Sequence, residues 1–440
     1  MTCFYKAISR LLVTLVLITA AGRLSAAIVP VINTNDTGPG SLSAAIATCN
    51  ATPGPDVIEF NIPGTGPFTI NLVTPLPFIT EEVFINGYSQ LDAAVGPIAS
   101  RTIMININGA ALPPPQPFQN IFSVDADNVT IAGLALYGAP NYCIASSSGV
   151  DNLFIWGNYI GTNETGITPS LGGGGGIASN FGGASVNLNL VVGTNGDDFD
   201  DDEEGNLIVS HVGSLANGFG VVLWRTEDSK VSGNIIGLDK DGNVGGLGNA
   251  QDGILVTVSA SGNLIGTNGD GQSDGFEGNR VAANGRHGIL VAAQSENNIV
   301  AGNIVGLSSA NTAAGNAAFG IQLLNCTLNR VGTNADGISD IDEANIVGTN
   351  GAGGIIIATG DFFNFNSACT DNTIAGNIIG TDATLTSDLG NTGGGITILG
   401  GVDGALAALN VADNIIGSNN DGVGEDRKST RLNSSHPYRS

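Results

Sequence analysis

The sequence predicts an all-β protein: a right-handed, single-stranded parallel β-helix, a solenoid closed at its N-terminal end by a short capping helix. Three observations lead there. First, a four-residue strand signature, G-[IV]-x-[VIL], recurs at Gly176 (as GIAS, with Ser at the last position), Gly220, Gly253, Gly288, Gly320, Gly354 and Gly395, at spacings of 44, 33, 35, 32, 34 and 41 residues. Second, another signature, N-x-[IV]-G, recurs once per unit, at Asn158, Asn234, Asn263, Asn303, Asn329, Asn377 and Asn414. Third, these short β-branched runs are cut by Gly and Asn, and no helical period crosses the region. Helical repeats of similar length would need long amphipathic helices. One unit per coil, with equivalent strands stacked about 4.8 Å apart, is the arrangement left.

The elements follow in chain order. Lys6 and Arg10, an apolar run from Leu11 to Ala21 and small residues at Ser25-Ala26-Ala27 have the layout of a secretory signal peptide, so residues 1–27 are assigned to it. Residues 28–140 are expected to hold the cap and the first irregular coils. Within them Ser41 is placed to cap a helix whose Leu42, Ala45, Ile46 and Cys49 share one face. Such a helix would cover the open end of the stack, where strand edges are otherwise unpaired. Pro113–Pro117 marks a loop. Residues 141–425 are the regular helix, built of two alternating coil types. In the repeated strands Ile254 and Val256 should face the core, with Leu255 and Thr257 on the other face. The Asn of N-x-[IV]-G should stack along one corner as an amide ladder. Residues 426–440 break with the composition of the rest and resemble translated sequencing adapter. They are expected to be non-native, which would leave a C-terminal anchor or further domain out of view.

Charge excludes some partners. The chain has 14 Lys+Arg and 39 Asp+Glu. Without both ends, seven basic and 38 acidic residues remain, a net charge of −31. That surface repels nucleic acid and anionic membrane. After the signal segment no apolar run is long enough to span a bilayer.

Every second coil carries an acidic loop: GTNGDDFDDDEEGN from Gly193, GTNGDGQSDGFEGN from Gly266 and GTNADGISDIDEAN from Gly332. Their sets Asp197/Asp201/Glu204, Asp270/Asp274/Glu277 and Asp336/Asp340/Glu343 are candidate Ca²⁺ ligands, because calcium takes six to eight oxygens on a Gly-containing turn. Solvated acidic turns are the alternative, and any ion here would be structural. Cys326 and Cys369 occupy the same place in adjacent coils, three residues before an Asn, and are a candidate disulfide.

Catalysis finds less support. The outward positions from Val222 and Trp224 to Thr397 and Leu399 hold no carboxylate or base. Arg286-His287 reads as an exposed turn with no acid pair at matching positions. The outward apolar row, with Trp224, is a candidate contact face for a glycan, a partner or another copy, unless long loops cover it.

The alternation of NxIGTxxxG and NxIGTNGDGxxDxxE coils resembles secreted bacterial parallel β-helix repeat proteins of the pectate-lyase-like superfamily. Gly40–Gly64 resembles the CSLREA-type segment that precedes such helices: Ser41, Leu42, Ala45 and Ile46 match, while Gly40, Ser43 and Ala44 depart. The resemblance implies fold, not activity. The expected role is a secreted or cell-surface, non-enzymatic protein for adhesion or glycan binding, its partner a polysaccharide or cell-surface component. A polysaccharide lyase or glycoside hydrolase, and a structural spacer of a larger surface protein, are the alternatives.

Overall fold

The computed structural model describes residues 26–113, 119–169, 173–180, 183–213, 217–360, 367–400 and 410–417. Most of the signal segment, most of the Pro-rich loop and the basic tail lie outside them. Three parallel sheets of 12, ten and nine strands run along the molecule, and each strand pairs with its equivalent one coil away. This is a parallel β-helix, and a strand–crossover–parallel strand connection takes the right-handed sense. Twelve strands at about 4.8 Å make the longest sheet roughly 50 Å long.

The repeated strand signature forms the nine-stranded sheet. Ile254 pairs with Ile289, Ile289 with Ile321, and Ile321 with Ile355. All four are fully buried in one interior column. Alternation puts the next residue of each strand on the outer face, where Val222, Leu255, Leu290 and Ile356 form a second apolar cluster. Single-residue alternation thus builds a narrow core on one side and a covered apolar face on the other.

The N-x-[IV]-G signature needs correction, because it merges two corners. Asn263, Asn329 and Asn414 precede strands of the 12-stranded sheet. Asn158, Asn234, Asn303 and Asn377 precede strands of the ten-stranded sheet. Among the described residues these corners carry three long amide ladders instead of one. The first runs Asn158, Asn206, Asn234, Asn279, Asn303, Asn345, Asn377. The second runs Asn263, Asn298, Asn329, Asn372, Asn414. The third, just before the nine-stranded sheet, runs Asn249, Asn284, Asn316, Asn350, Asn391. At each rung one Oδ1 accepts both the backbone N–H and the side-chain amide of the previous Asn. The corners turn away from the sheet ladders, so their buried polar groups need partners of this kind.

The two coil types differ in where the extra chain is inserted. In the coil of Ile254–Thr257 the acidic loop lies between the 12- and ten-stranded sheets; in the coil of Ile289–Ala292 that corner is only Gly302-Asn303, and a long loop joins the ten- and nine-stranded sheets instead. The glycine opening each acidic loop is required by space. At Gly193, Gly266 and Gly332, φ is +99°, +109° and +97°, and an added Cβ would lie 1.8–1.9 Å from the carbonyl oxygen of Ser232, Ala301 or Ala375 on the next coil.

Helix α1 (Leu42–Cys49) forms as expected. The Ser41 side chain accepts from Ala44 N, and Leu42, Ala45, Ile46 and Cys49 are buried. It packs on Ile28–Val31 and Asp56–Phe60, the first two strands of the long sheet, and so covers that end of the stack.

Candidate functional site

The nine acidic-loop residues have two distinct placements. Asp197, Asp270 and Asp336 are exposed, and each accepts a backbone N–H two residues on, from Phe199, Gln272 and Ile338. The other six turn inward. Asp201, Asp274 and Asp340 accept from the hydroxyls of Thr194, Thr267 and Thr333 at 2.5–2.7 Å. Glu204, Glu277 and Glu343 accept the backbone N–H of Asn195, Asn268 and Asn334 at 2.8–3.1 Å. The carbonyls of the same three Glu residues accept from Gly157, Gly233 and Gly302, the tight-turn glycines one coil back. The loops also lean on each other: a Cβ on Gly196 would lie 2.3 Å from Glu277 Oε1, and one on Gly269 would lie 2.6 Å from Glu343 Oε1.

Among the described residues the third loop has an ion pair of its own, while Lys230 Nζ on the next coil donates to Asn195 O of the first loop. Arg330 Nη1 sits 2.8 Å from Glu343 Oε1, and Glu343 is fully buried. Val191 and Leu264 hold the register position of Arg330 in the first two loops. Burial, and then Asp197 and Asp201, push the Glu204 carboxyl up to about 7. Burial likewise raises that of Glu277. Among the described residues no three acidic, histidine or cysteine side chains converge to hold a metal ion. As placed, these donors brace the loops.

Cys326 and Cys369 are stacked on adjacent coils as the spacing implies. Thr327 pairs with Thr370 next to them, and the two sulfurs lie 3.9 Å apart as free thiols in the core. Burial holds the Cys326 thiol above its ordinary range. Trp224 is half-buried against the outer cluster of the nine-stranded sheet and pairs in register with buried Thr257.

The Arg286-His287 turn differs from its reading as exposed. Asp252 and His287 are both buried, and the pairing of Ile254 with Ile289 puts Asp252 directly below His287. Asp252 Oδ1 accepts from His287 N at 2.9 Å, and Arg286 Nη1 lies 3.5 Å from Asp252 Oδ2. His287 Nδ1 accepts from Phe319 N, and the two rings stack 6.0 Å apart. Burial, partly offset by Arg286, lifts the Asp252 carboxyl to about 6; burial and Arg286 hold the His287 imidazole down at about 4. A single acid, a guanidinium and a neutral imidazole thus meet at this corner. The sequence reading missed the acid because it compared positions within the strands, while Asp252 lies one residue before Gly253.

A second site was not anticipated at all. Phe154 and Trp156 flank buried Ile155 on a strand of the long sheet, so both rings stand on its outer face, partly exposed. Tyr88, also partly exposed, stacks on Trp156 with centroids 5.6 Å apart and donates to Gly157 O at 2.7 Å. The Phe154 ring is 6.2 Å from Trp156. Gly157 has φ +69°, and a Cβ there would meet Tyr88 Oη at 2.7 Å, so the stack needs glycine at this point. Register extends the column to Phe84 through Thr130. On one side Asn128, Asn152 and Asn189 form an exposed amide row, with bonds of 3.0 and 3.2 Å. On the other side the first acidic loop closes over Gly157 through Glu204 O. The signal was in the sequence as Phe154-Ile-Trp156, two aromatics two residues apart in a run of strands.

No known family profile matches the sequence. No curated protein matches it either. Among solved structures it is similar to the A-module of the Azotobacter vinelandii mannuronan C-5 epimerase AlgE6, at 13% identity over 88% of this chain and 96% of that one, with a TM-score of 0.42. It is similar to a mutant form of the periplasmic alginate epimerase AlgG, at 14% identity over 78% and 75%, TM-score 0.40. It is also similar to the Dettilon tailspike protein, at 17% identity over 82% and 64%, TM-score 0.37. At these values the likeness says nothing of activity, and the fold stands on the strand registers. No helix among the described residues is long and apolar enough to cross a membrane.

Proposed function

We propose that this is a secreted or surface-held glycan-binding protein whose ligand lies across Tyr88, Phe154 and Trp156. The stacked pair Tyr88–Trp156 is the observation that carries the reading. A sugar ring has an apolar C–H face and a polar rim. Aromatic rings suit the first, and neighbouring amide donors and acceptors such as Asn128, Asn152 and Asn189 suit the second. Phe154 and Trp156 stand on a β-strand, which holds such groups more rigidly than a loop does, and Tyr88 stands on the short 3-10 turn Gly87–Ser89. A binding role is favoured over catalysis because the nearby acids already have partners: Asp151 Oδ1 accepts from Leu188 N, and Glu204 Oε2 from Asn195 N. The net charge of −31 favours a neutral glycan over a polyanionic one.

The test is affinity electrophoresis or calorimetry of the full chain against a panel of neutral and acidic polysaccharides. Trp156→Ala should weaken binding about tenfold or more, as truncating a central aromatic does, with the melting curve nearly unchanged. Unaltered affinity in Trp156→Ala and Phe154→Ala would remove the platform. A second reading, a polysaccharide lyase or hydrolase, is favoured by the Asp252, Arg286 and His287 corner. Chain cleavage by the wild type that disappears in His287→Ala would establish it in place of the first. Calcium stays a proposal for the first two acidic loops, which lack the guanidinium of the third.

A further inference from the structure

We infer that Cys326 and Cys369 are joined as a disulfide in the exported protein, a staple between two adjacent coils near the last coil described. The backbone brings the residues together: Thr327 and Thr370 are paired in register, and the Asn372 side chain donates to Cys326 O at 3.1 Å. The sulfurs, 3.9 Å apart, must close to about 2.05 Å, and stacked Cα atoms at the strand spacing of about 4.8 Å lie within the disulfide range. Packing alone does not call for sulfur at this place. The equivalent positions, three residues before Asn263, Asn298 and Asn414, hold Ala260, Ser295 and Val411. Two cysteines on consecutive coils are therefore informative.

The location suggests what the bond does. Helix α1 covers one end of the stack. In the last described strand of the nine-stranded sheet Ile398 and Leu399 are 57% and 56% exposed, whereas Ile254, Ile289 and Ile321 are wholly buried. Coils with few buried contacts open first. A bond from Cys369 to Cys326 ties the coil leading to these exposed residues back to the coil before it. Both thiols are buried, so the bond forms while the coils are closing and is then shielded from reductant. The chemistry balances as an exchange. The two thiols give up two protons and two electrons, and a disulfide oxidant, such as oxidised glutathione or a dithiol–disulfide oxidase, takes them to become two thiols.

The experiment uses the full chain, exported through an oxidising compartment or refolded with oxidised glutathione. Free thiols are alkylated in denaturant, and the digest is mapped by mass spectrometry. The expected product is a cross-linked pair of peptides carrying Cys326 and Cys369, with Cys49 and Cys143 alkylated. Alkylation of both Cys326 and Cys369 would overturn the bond. Oxidised wild type should melt several degrees above its reduced form, and Cys326→Ser/Cys369→Ser should melt with the reduced form. Identical melting of oxidised and reduced wild type would overturn the staple role even if the bond is found. Peptide mapping decides the bond itself should the double variant fail to fold.

Discussion

Asn279 offers a direct test of what holds the coils in register. It is a middle rung of the seven-residue ladder and is 1% exposed. Its Oδ1 accepts from Asn234 N at 3.1 Å and from Asn234 Nδ2 at 2.9 Å. Its Nδ2 donates to Val231 O at 2.6 Å and to Asn303 Oδ1 at 2.9 Å. In Asn279→Ala some of these partners keep other bonds. Asn234 Nδ2 still reaches Val192 O and Ser232 O, and Asn303 Oδ1 still accepts from Asn279 N. The Asn234 N–H loses the most, while the Val231 carbonyl stays within the sheet ladder, where Val231 pairs with Ile265. Stripping a buried polar group costs about 1–3 kcal/mol, and with the weakened amide bonds the substitution should cost roughly 2–4 kcal/mol. Asn414 is the control. It accepts from Asn372 in the same way but is only half-buried. Water can replace its amide, and Asn414→Ala should cost about 1 kcal/mol. Urea unfolding of the two variants in one buffer gives the comparison. Because a stack can open locally, proteolysis should map the first cleavage to the coils beside the altered rung. Equal losses in the two variants, or a loss under about 1 kcal/mol at Asn279, would refute the claim that buried amide rungs fix the register.

Two further outcomes are expected. Arg330→Leu leaves the buried Glu343 carboxylate without its 2.8 Å partner and should destabilise by about 3–5 kcal/mol, with Arg330→Leu/Glu343→Gln recovering most of it; chemical denaturation checks both, and calcium against chelator in the same melts tests an ion at the first two loops. His211 is fully buried, and burial holds its imidazole down at about 3. The unfolded chain then takes up a proton that the folded state refuses, so this contribution is full above about pH 6.5 and is lost as pH falls toward 3, reaching about 3 kcal/mol at pH 4. Glu204 and Asp252, raised to about 7 and 6, act in the opposite sense, so the readout is the difference between wild type and His211→Met, whose stability should fall less between pH 6 and 4.

The parts of the molecule that could be read in advance are those the stack imposes on the chain. A single interior column needs a β-branched or aliphatic residue once per coil, so Ile254, Ile289 and Ile321 appear at regular spacing. Cys326 and Cys369 could be aligned for the same reason. The corners were harder. N-x-[IV]-G looks the same before a strand of the 12-stranded sheet and before one of the ten-stranded sheet. Asn206, Asn279 and Asn345 of the first ladder follow acidic loops, and Asn206 and Asn279 lack the glycine of the motif. The roles of the carboxylates were harder still. Asp201 and Glu204 have the composition of an ion site, but whether an oxygen faces outward or turns back to Thr194 and Asn195 depends on loop backbone that no spacing specifies.

Where the chain departs from its own repeat, a different principle applies. Along one register of the long sheet stand Phe154, Val191, Lys230, Leu264, Ile299 and Arg330. The position faces outward, so packing in the core does not choose its occupant. Trp156 likewise stands two residues on, where the next three coils place Gly193, Ser232 and Gly266. A glycine there is required only where a loop must turn sharply against the next coil. The coil of Trp156 does not turn there, and the freed position carries the largest ring available. Residues that repeat are explained by the scaffold. Of those that break the repeat, Arg330 serves its loop through Glu343, whereas Trp156 with its Tyr88 partner and the Asp252–His287 corner carry chemistry the scaffold does not require, and substitution there separates function from fold.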